Sequence, residues 1–377
     1  RLSNAPSGGG GRIKIKNGVV IGNSLYHTAA DCDYLYDNAN GDISTIFQQI
    51  YNAIQSDYEK YKDCMYLYFL KGTYKLIGGR YSEPMGNFAI VGELDPVTGE
   101  RLATIELTKQ LHYTNGSDFT LKDINIINVA ADNNYALALA DCNKITIENC
   151  HIQQQGYSDN VFPILISIEQ YNGSSTVYRE VYIRNNIIEN NSHSYAFQLI
   201  SDSSLEVCVD AYIENNQILN SYVNHPCGVA GISRSLYNIY FRNNYCPTSD
   251  INIDCVAGSY LGVYWFIENC EVDNITASDP NGYYIKNNIL HNYTVNGYVG
   301  NSNYRTDRCC YLLNNIILSN TTVIVFDETY PQMNSIVAYN VFNGELKIYM
   351  PENGELMNPS AYTGTNVYGN ICANMNS

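Results

Sequence analysis

The chain has one Trp and ten Pro in 377 residues, and only 15% of its side chains are charged. So few long charged residues, beside so many Asn and Tyr, suit strands rather than helices. Basic residues are especially scarce, with 21 Lys and Arg against 37 Asp and Glu and a formal net charge of −16. A surface this acidic repels phosphate backbones, so no nucleic acid is expected as a partner, whereas glycans and basic protein surfaces remain compatible. No apolar run reaches the ~18 residues of a membrane span, so no membrane insertion is expected. The 12 Cys include no CxxC pair, and the adjacent Cys309 and Cys310 have no framework around them. They read as small buried apolar residues, which fits folding in a reducing cytoplasm. Asp250 and Asp254 stand close in the sequence, but no calcium-loop pattern surrounds them; neither a metal nor a cofactor is expected. The chain opens on Arg1 with no signal-peptide pattern, so it reads as processed or as part of a longer protein.

What is present is Tyr, 35 of them, and a repeated phrase. Residues 1–40 read as an irregular lead-in with one short hairpin in "IKIKNGVVIG". A helix is predicted over residues 42–58, because Ile43, Ile46, Phe47, Ile50, Tyr51 and Ile54 recur at helical spacing behind Asp42, a good N-cap. "MYLYFLKGTYKLIGG" follows as strand, with a tight turn at Gly72. Then "VYIRNNIIEN", "AYIENNQILN", "IYFRNNYCPT" and "YYIKNNILHN" say nearly the same thing four times. Aligned on the first Asn, the phrase recurs at Asn149, Asn185, Asn215, Asn243, Asn269, Asn287 and Asn314, at intervals of 36, 30, 28, 26, 18 and 27 residues. A fixed motif with variable spacers marks a solenoid. Without helices between the strands, that solenoid is all-β: a right-handed parallel β-helix of about ten coils, spanning residues 41–342, with residues 343–377 as a C-terminal cap or tail.

The columns of the alignment carry the detail. Two residues before the Asn stand Ile147, Ile183, Ile213, Phe241, Ile267, Ile285 and Leu312; three residues after it stand Ile152, Ile188, Ile218, Cys246, Val272, Leu290 and Ile317. Both columns are predicted to face inward, and period-2 alternation sends their neighbours outward. The residue just before the Asn reads Glu148, Arg184, Glu214, Arg242, Glu268, Lys286, alternating in sign. Parallel strands set equivalent residues about 4.8 Å apart, where like charges repel and alternating ones form a ladder. Three residues before the Asn, Tyr182, Tyr212, Tyr240, Phe266, Tyr284 and Tyr311 form an outward aromatic strip. It reads as cross-strand packing under a loop or against a neighbouring subunit, or as a surface on which sugar rings stack. The Asn pair itself suits a strand-ending turn, because Asn tolerates left-handed backbone and stacked amides bond along the axis.

"NGDISTIFQQIYNAIQ … YLYFLKGTYKL" over residues 42 to about 130, joined to these coils, resembles the entry module of the pectate-lyase-like superfamily. In that module an Asp-initiated helix caps the β-helix and a strand enters a Gly-Thr-Tyr turn. Within the superfamily the chain looks most like bacteriophage tailspikes and tail-fibre proteins that recognise host surface polysaccharide. The resemblance implies a homotrimer in a virion tail that binds, and in some members depolymerises, cell-surface glycan. The alternatives are a secreted bacterial polysaccharide lyase or glycoside hydrolase, and a non-catalytic adhesin. The Asp-Asp pair and Gly-His-Gly of polygalacturonases are missing, "YSDN" at Tyr157–Asn160 being the nearest feature, and no Asp cluster of calcium-dependent pectate lyases occurs.

A second set of segments, "LALAD", "LISIE", "QLISD" and "AGISR", ends in Asp141, Glu169, Asp202 and Arg234. Placed on successive coils, adjacent carboxylates would stand about 5 Å apart and alternate ones about 10 Å apart, which brackets the separations used by glycosidases. Crowding raises the pKa of one member, as a general acid requires. Glu169 and Asp202 are therefore the expected acid pair, with Arg234 orienting substrate. Asp141, His193 and Tyr182, Tyr212, Tyr240 and Tyr284 are expected to bind it, in a groove walled by the long insertions at 153–161 and 171–179. The bland reading of the acid row is turn-capping at strand ends. His193 and His225 fall in the following connections, where a lone His is usually a surface residue.

Overall fold

The computed structural model describes residues 14–56, 65–77, 87–114, 118–130, 135–155, 163–168, 177–191, 195–201, 207–220, 227–231, 236–254, 262–278, 282–292, 294–295, 309–319, 321–325, 336–349 and 366–372. They form a right-handed parallel β-helix with one helix, Ile43–Ser56, near its N-terminal end. The first sheet has 14 strands and the second 12, and every strand pairs in parallel with its counterpart one coil away. A third face carries a 5-stranded sheet and, further on, a 3-stranded one. Right-handedness is the default for parallel crossovers built from right-twisted strands.

The expected register holds. Ile147, Ile183, Ile213, Phe241, Ile267 and Ile285 are fully buried, as are Ile152, Ile188, Ile218, Cys246, Val272, Leu290 and Ile317. These columns form one continuous core along the solenoid. Outside, Glu148, Arg184, Glu214, Arg242, Glu268 and Lys286 stand opposite one another in order, and Lys122 extends the alternation by one coil. Lys122 Nζ lies 3.2 Å from Glu148, and Arg242 Nε donates to Glu268 Oε2 at 2.8 Å. Arg184 Nε is 2.9 Å from Glu214 Oε2, but at an angle too bent for a hydrogen bond.

The turn from first to second sheet is two residues long in every repeated coil. Its first residue is left-handed: Asn149, Asn185, Asn215, Asn243, Asn269, Asn287 and Asn314 have φ between 52° and 59°. Its second residue points inward. Asn186, Asn216, Asn244, Asn288, Asn315 and Asn340 are buried, each side-chain amide reaching a carbonyl of the preceding coil. Asn216 is representative. Its Nδ2 donates to Ile183 O at 2.8 Å and to Asn244 Oδ1 at 3.0 Å, and its Oδ1 accepts from the Asn186 backbone at 3.0 Å. Cys150 and Cys270 take the same place in their coils, where the Sγ–H of Cys270 donates to Phe241 O at 3.4 Å. Burial pushes both thiols up to about 12, so they stay protonated. Cys32, Cys142 and Cys246 are likewise buried.

The ladder outruns the expected bounds at both ends. Gly18–Asn23, expected within a hairpin, is a strand pairing in parallel with Met65–Phe69, and Glu345–Tyr349, Asn366–Tyr368 and Ile371–Cys372 add strands beyond residue 342. The last two corner turns, Tyr339–Asn340 and Gly369–Asn370, escaped an alignment keyed to the first Asn because the left-handed place is taken by Tyr and Gly. In these two turns the second Asn still carries the amide contact to the neighbouring coil.

The helix starts where the cap was expected. Asp42 Oδ1 accepts from Ser44 N at 3.0 Å and from Ile77 N at 3.1 Å, so one carboxylate both caps the helix and ties it to the end of Gly72–Leu76. Ile43, Ile46, Phe47 and Ile50 pack onto the end of the core. Gly72 has φ +142°, and a Cβ there would meet Asn23 at 2.6 Å, so the turn requires glycine.

Candidate active site on the third sheet

The third face is the least regular, and it carries a cavity. Its strands are Leu111–Thr114, Leu137–Ala140, Ile164–Ile168, Phe197–Ser201 and Cys227–Gly231, in unbroken parallel order. Leu137, Leu139, Ile164, Ile166, Phe197 and Leu199 face the core and are buried. Alternation turns two columns outward: His112, Ala138, Leu165, Gln198 in one, and Ala140, Ser167, Ile200 in the other. Ala138, Ala140 and Ser167 are short, and the space they leave is a cavity of about 190 Å³ bordered by Gln110, His112, Tyr135 and Ile200. Its polar lining is deeply set, His112 being 7% and Ser167 8% exposed. A concave pocket with an apolar floor and a few convergent polar groups is the ordinary form of a small-molecule site. An imidazole, a hydroxyl, a carboxamide and a phenol together suit a polyhydroxylated ligand, which offers both donors and acceptors.

Glu169, Asp202, Arg234 and His193 lie outside the described residues. The strands they follow set their offsets. Ser167 pairs with Ile200 and Ile200 with Ala230. Glu169 and Asp202 are each second after those cavity-floor partners, so their offsets agree. Asp141 differs: Ala140 pairs with Ser167, which makes Asp141 one residue short of the frame, and Arg234, fourth after Ala230, is two beyond it. For Asp141 the alignment on a terminal polar residue is one residue off, because backbone pairing, not side-chain polarity, sets register. Asp141 itself occupies a left-handed turn at φ 55°, its N–H donating to Ser167 O at 3.0 Å.

The aromatic strip is continuous but offers its edges. Tyr182, Tyr212, Tyr240, Phe266, Tyr284 and Tyr311 stack at centroid separations of 4.8–5.0 Å with ring planes within 14°. Each inner ring has both faces covered by its neighbours. The guanidinium of Arg184 lies 4.4 Å from the Tyr182 centroid, and Lys144 Nζ 5.0 Å from it. Sugar stacking on open ring faces, one expectation for Tyr182, Tyr212, Tyr240 and Tyr284, is therefore replaced by ring-on-ring packing; only the half-buried edges and hydroxyls remain for a ligand. Burial raises the phenol pKa of Tyr182, Tyr212 and Tyr240.

Sequence reading missed His112 and Ser167, the deepest polar groups of the cavity. The available signal was "LALA" at Leu137–Ala140: a strand with two outward alanines is a gap in the outer surface. It also missed Glu180 and Asp210, paired in register beside the aromatic strip, where Tyr182 donates to Glu180 at 3.1 Å and Tyr178 and Asn238 donate to Asp210 at 2.7 and 2.8 Å.

The fold and cavity define a parallel β-helix protein with a candidate site on its third face. No family model matches the chain, and no curated protein matches it. Among solved structures it is similar to the A-module of the mannuronan C-5 epimerase AlgE6 of Azotobacter vinelandii, at 9% identity and a TM-score of 0.24 over 86% of this chain and 94% of that one. A likeness this loose carries no argument about the site. No helix among the described residues is long and apolar enough to cross a membrane, and these residues contain no group of three or more His, Cys, Asp or Glu placed to hold a metal.

Proposed function

We propose that this chain is a tailspike-like receptor-binding protein that holds cell-surface polysaccharide against the third sheet and cleaves it there. The cavity between His112 and Ser167 carries the reading, because these two polar side chains are buried in its lining and the strands that border it are followed in the sequence by two acids at the same offset. In this reading one sugar unit occupies the cavity and the polymer runs along the solenoid axis. Glu169 and Asp202 serve as the acid pair: one protonates the glycosidic oxygen while the other attacks the anomeric carbon or activates water. Arg234 orients a substrate carboxylate or hydroxyl, and the protein works as a homotrimer in a virion tail.

The test is a reducing-sugar assay on host capsule and wall polysaccharides, with binding followed by calorimetry. Asp202→Asn should abolish cleavage and leave binding within about threefold. His112→Ala should weaken binding tenfold or more. Wild-type cleavage by Asp202→Asn would make the pair turn-capping acids. Binding without cleavage by either protein would leave a glycan receptor without enzymatic activity.

A further inference from the structure

The corner between first and second sheets changes character along the solenoid. Through the middle coils it is mostly charged or polar, with Ile187 and Tyr245 as the exceptions. The residue before the left-handed turn is Lys122, Glu148, Arg184, Glu214, Arg242, Glu268, then Lys286; two residues after the turn's first position stand Asn125, His151, Ile187, Gln217, Tyr245 and Glu271. From Ile289 onward both columns turn apolar. Ile289, Ile316, Val341 and Ile371 stand opposite one another on four successive coils, 38% to 63% exposed. Leu313 and Ala338 replace the charges of the other column, and Tyr339 and Tyr368 pack edge to face at 5.3 Å beside them. Among the described residues of these columns after Lys286 there is no charged side chain.

We infer that this corner is where a second copy of the chain docks. The first reason is charge. Copies carrying −16 each repel one another, and a corner stripped of charge is where two such bodies meet at least cost. The second is shape: a straight row of aliphatic side chains about 4.8 Å apart can lie against the same row of another copy, and three such rows can meet about a threefold axis, so the same residues serve every partner. The third is size. At roughly 200 Å² per fully exposed large side chain, the strip with Leu318, Tyr339 and Tyr368 shows about 650 Å² of apolar residue surface, above the usual single patch on a monomer and near the ~800 Å² each partner contributes to a stable interface. The aromatic strip, already packed on itself, is a poorer candidate for that contact. The inference does not rest on the polysaccharide reading, since the corner lies on different sheets from the cavity.

Sedimentation velocity on the full chain tests it. The wild type should form dimers or larger closed assemblies at micromolar concentration, strengthening as salt screens the repulsion between acidic bodies. Ile316→Glu with Val341→Glu should weaken self-association at least tenfold. Gln217→Glu, on the same column in the middle coils, should change nothing. Both doubled positions are exposed, so an unchanged melting curve is expected; if the pair fails to fold, Ile371→Asp, at the most exposed position, serves instead. A wild type that stays monomeric overturns the inference, whether or not it floats with phosphatidylcholine vesicles. An oligomer indifferent to these substitutions overturns it too. Glycan binding, measured on the same variants, should be unaltered per chain.

Discussion

The first and third sheets of this solenoid are built from the same chain under different constraints. The first runs through 14 strands, while the third face is divided between a sheet of 5 and a sheet of 3. The reason lies in the connections. In the repeated coils the turn between first and second sheets is two residues, one left-handed and one buried, so each coil inherits the register of the last. The variation in repeat length, from 18 to 36 residues, falls outside this turn. A constant turn makes a ladder of identical contacts, which stabilises and carries no individuality. Variable connections give each coil of the third face its own surroundings, which is what a site requires.

Breaking the ladder should cost most. Asn216→Ala removes a buried amide that serves three partners and strands the Asn186 N–H, so unfolding free energy should fall by about 3 kcal/mol, read from the urea midpoint. A loss under about 1 kcal/mol would mean that water replaces the amide. The outer ladder is weaker. Arg242→Glu puts three carboxylates in a row with Glu214 and Glu268 and should cost about 1 kcal/mol at low salt, shrinking as salt rises because these side chains are partly solvated. An equal loss at all salt concentrations would point to packing against Tyr240, 4.8 Å from the guanidinium, as the larger contribution. The third sheet should respond in the opposite sense. Ala140→Leu grows into the cavity and should shift stability by less than about 1 kcal/mol while glycan binding disappears. A large destabilisation there would make the cavity ordinary core rather than a site.

Most of the solenoid was legible in the sequence because its periodicity is chemical. Inward Ile, outward alternating charge and a left-handed Asn each recur for a separate physical reason, and the three agree on one register. The two last corner turns were not legible, since Tyr339 and Gly369 hide the pattern that Asn340 and Asn370 continue. The site was legible only in part. Asp141 could not be placed from its strand end, because a one-residue offset is invisible where turn lengths vary.

The sequence by itself determined the fold class, the inward columns, the capping helix and the charge ladder, because each depends on contacts at fixed spacing along the chain. Tertiary structure alone decided that the aromatic rings stack on one another rather than lie open, that His112 and Ser167 share a cavity, and that Ile289, Ile316, Val341 and Ile371 form one exposed row. These depend on which residues of different coils come opposite each other, and that is set by backbone pairing across connections whose lengths follow no rule.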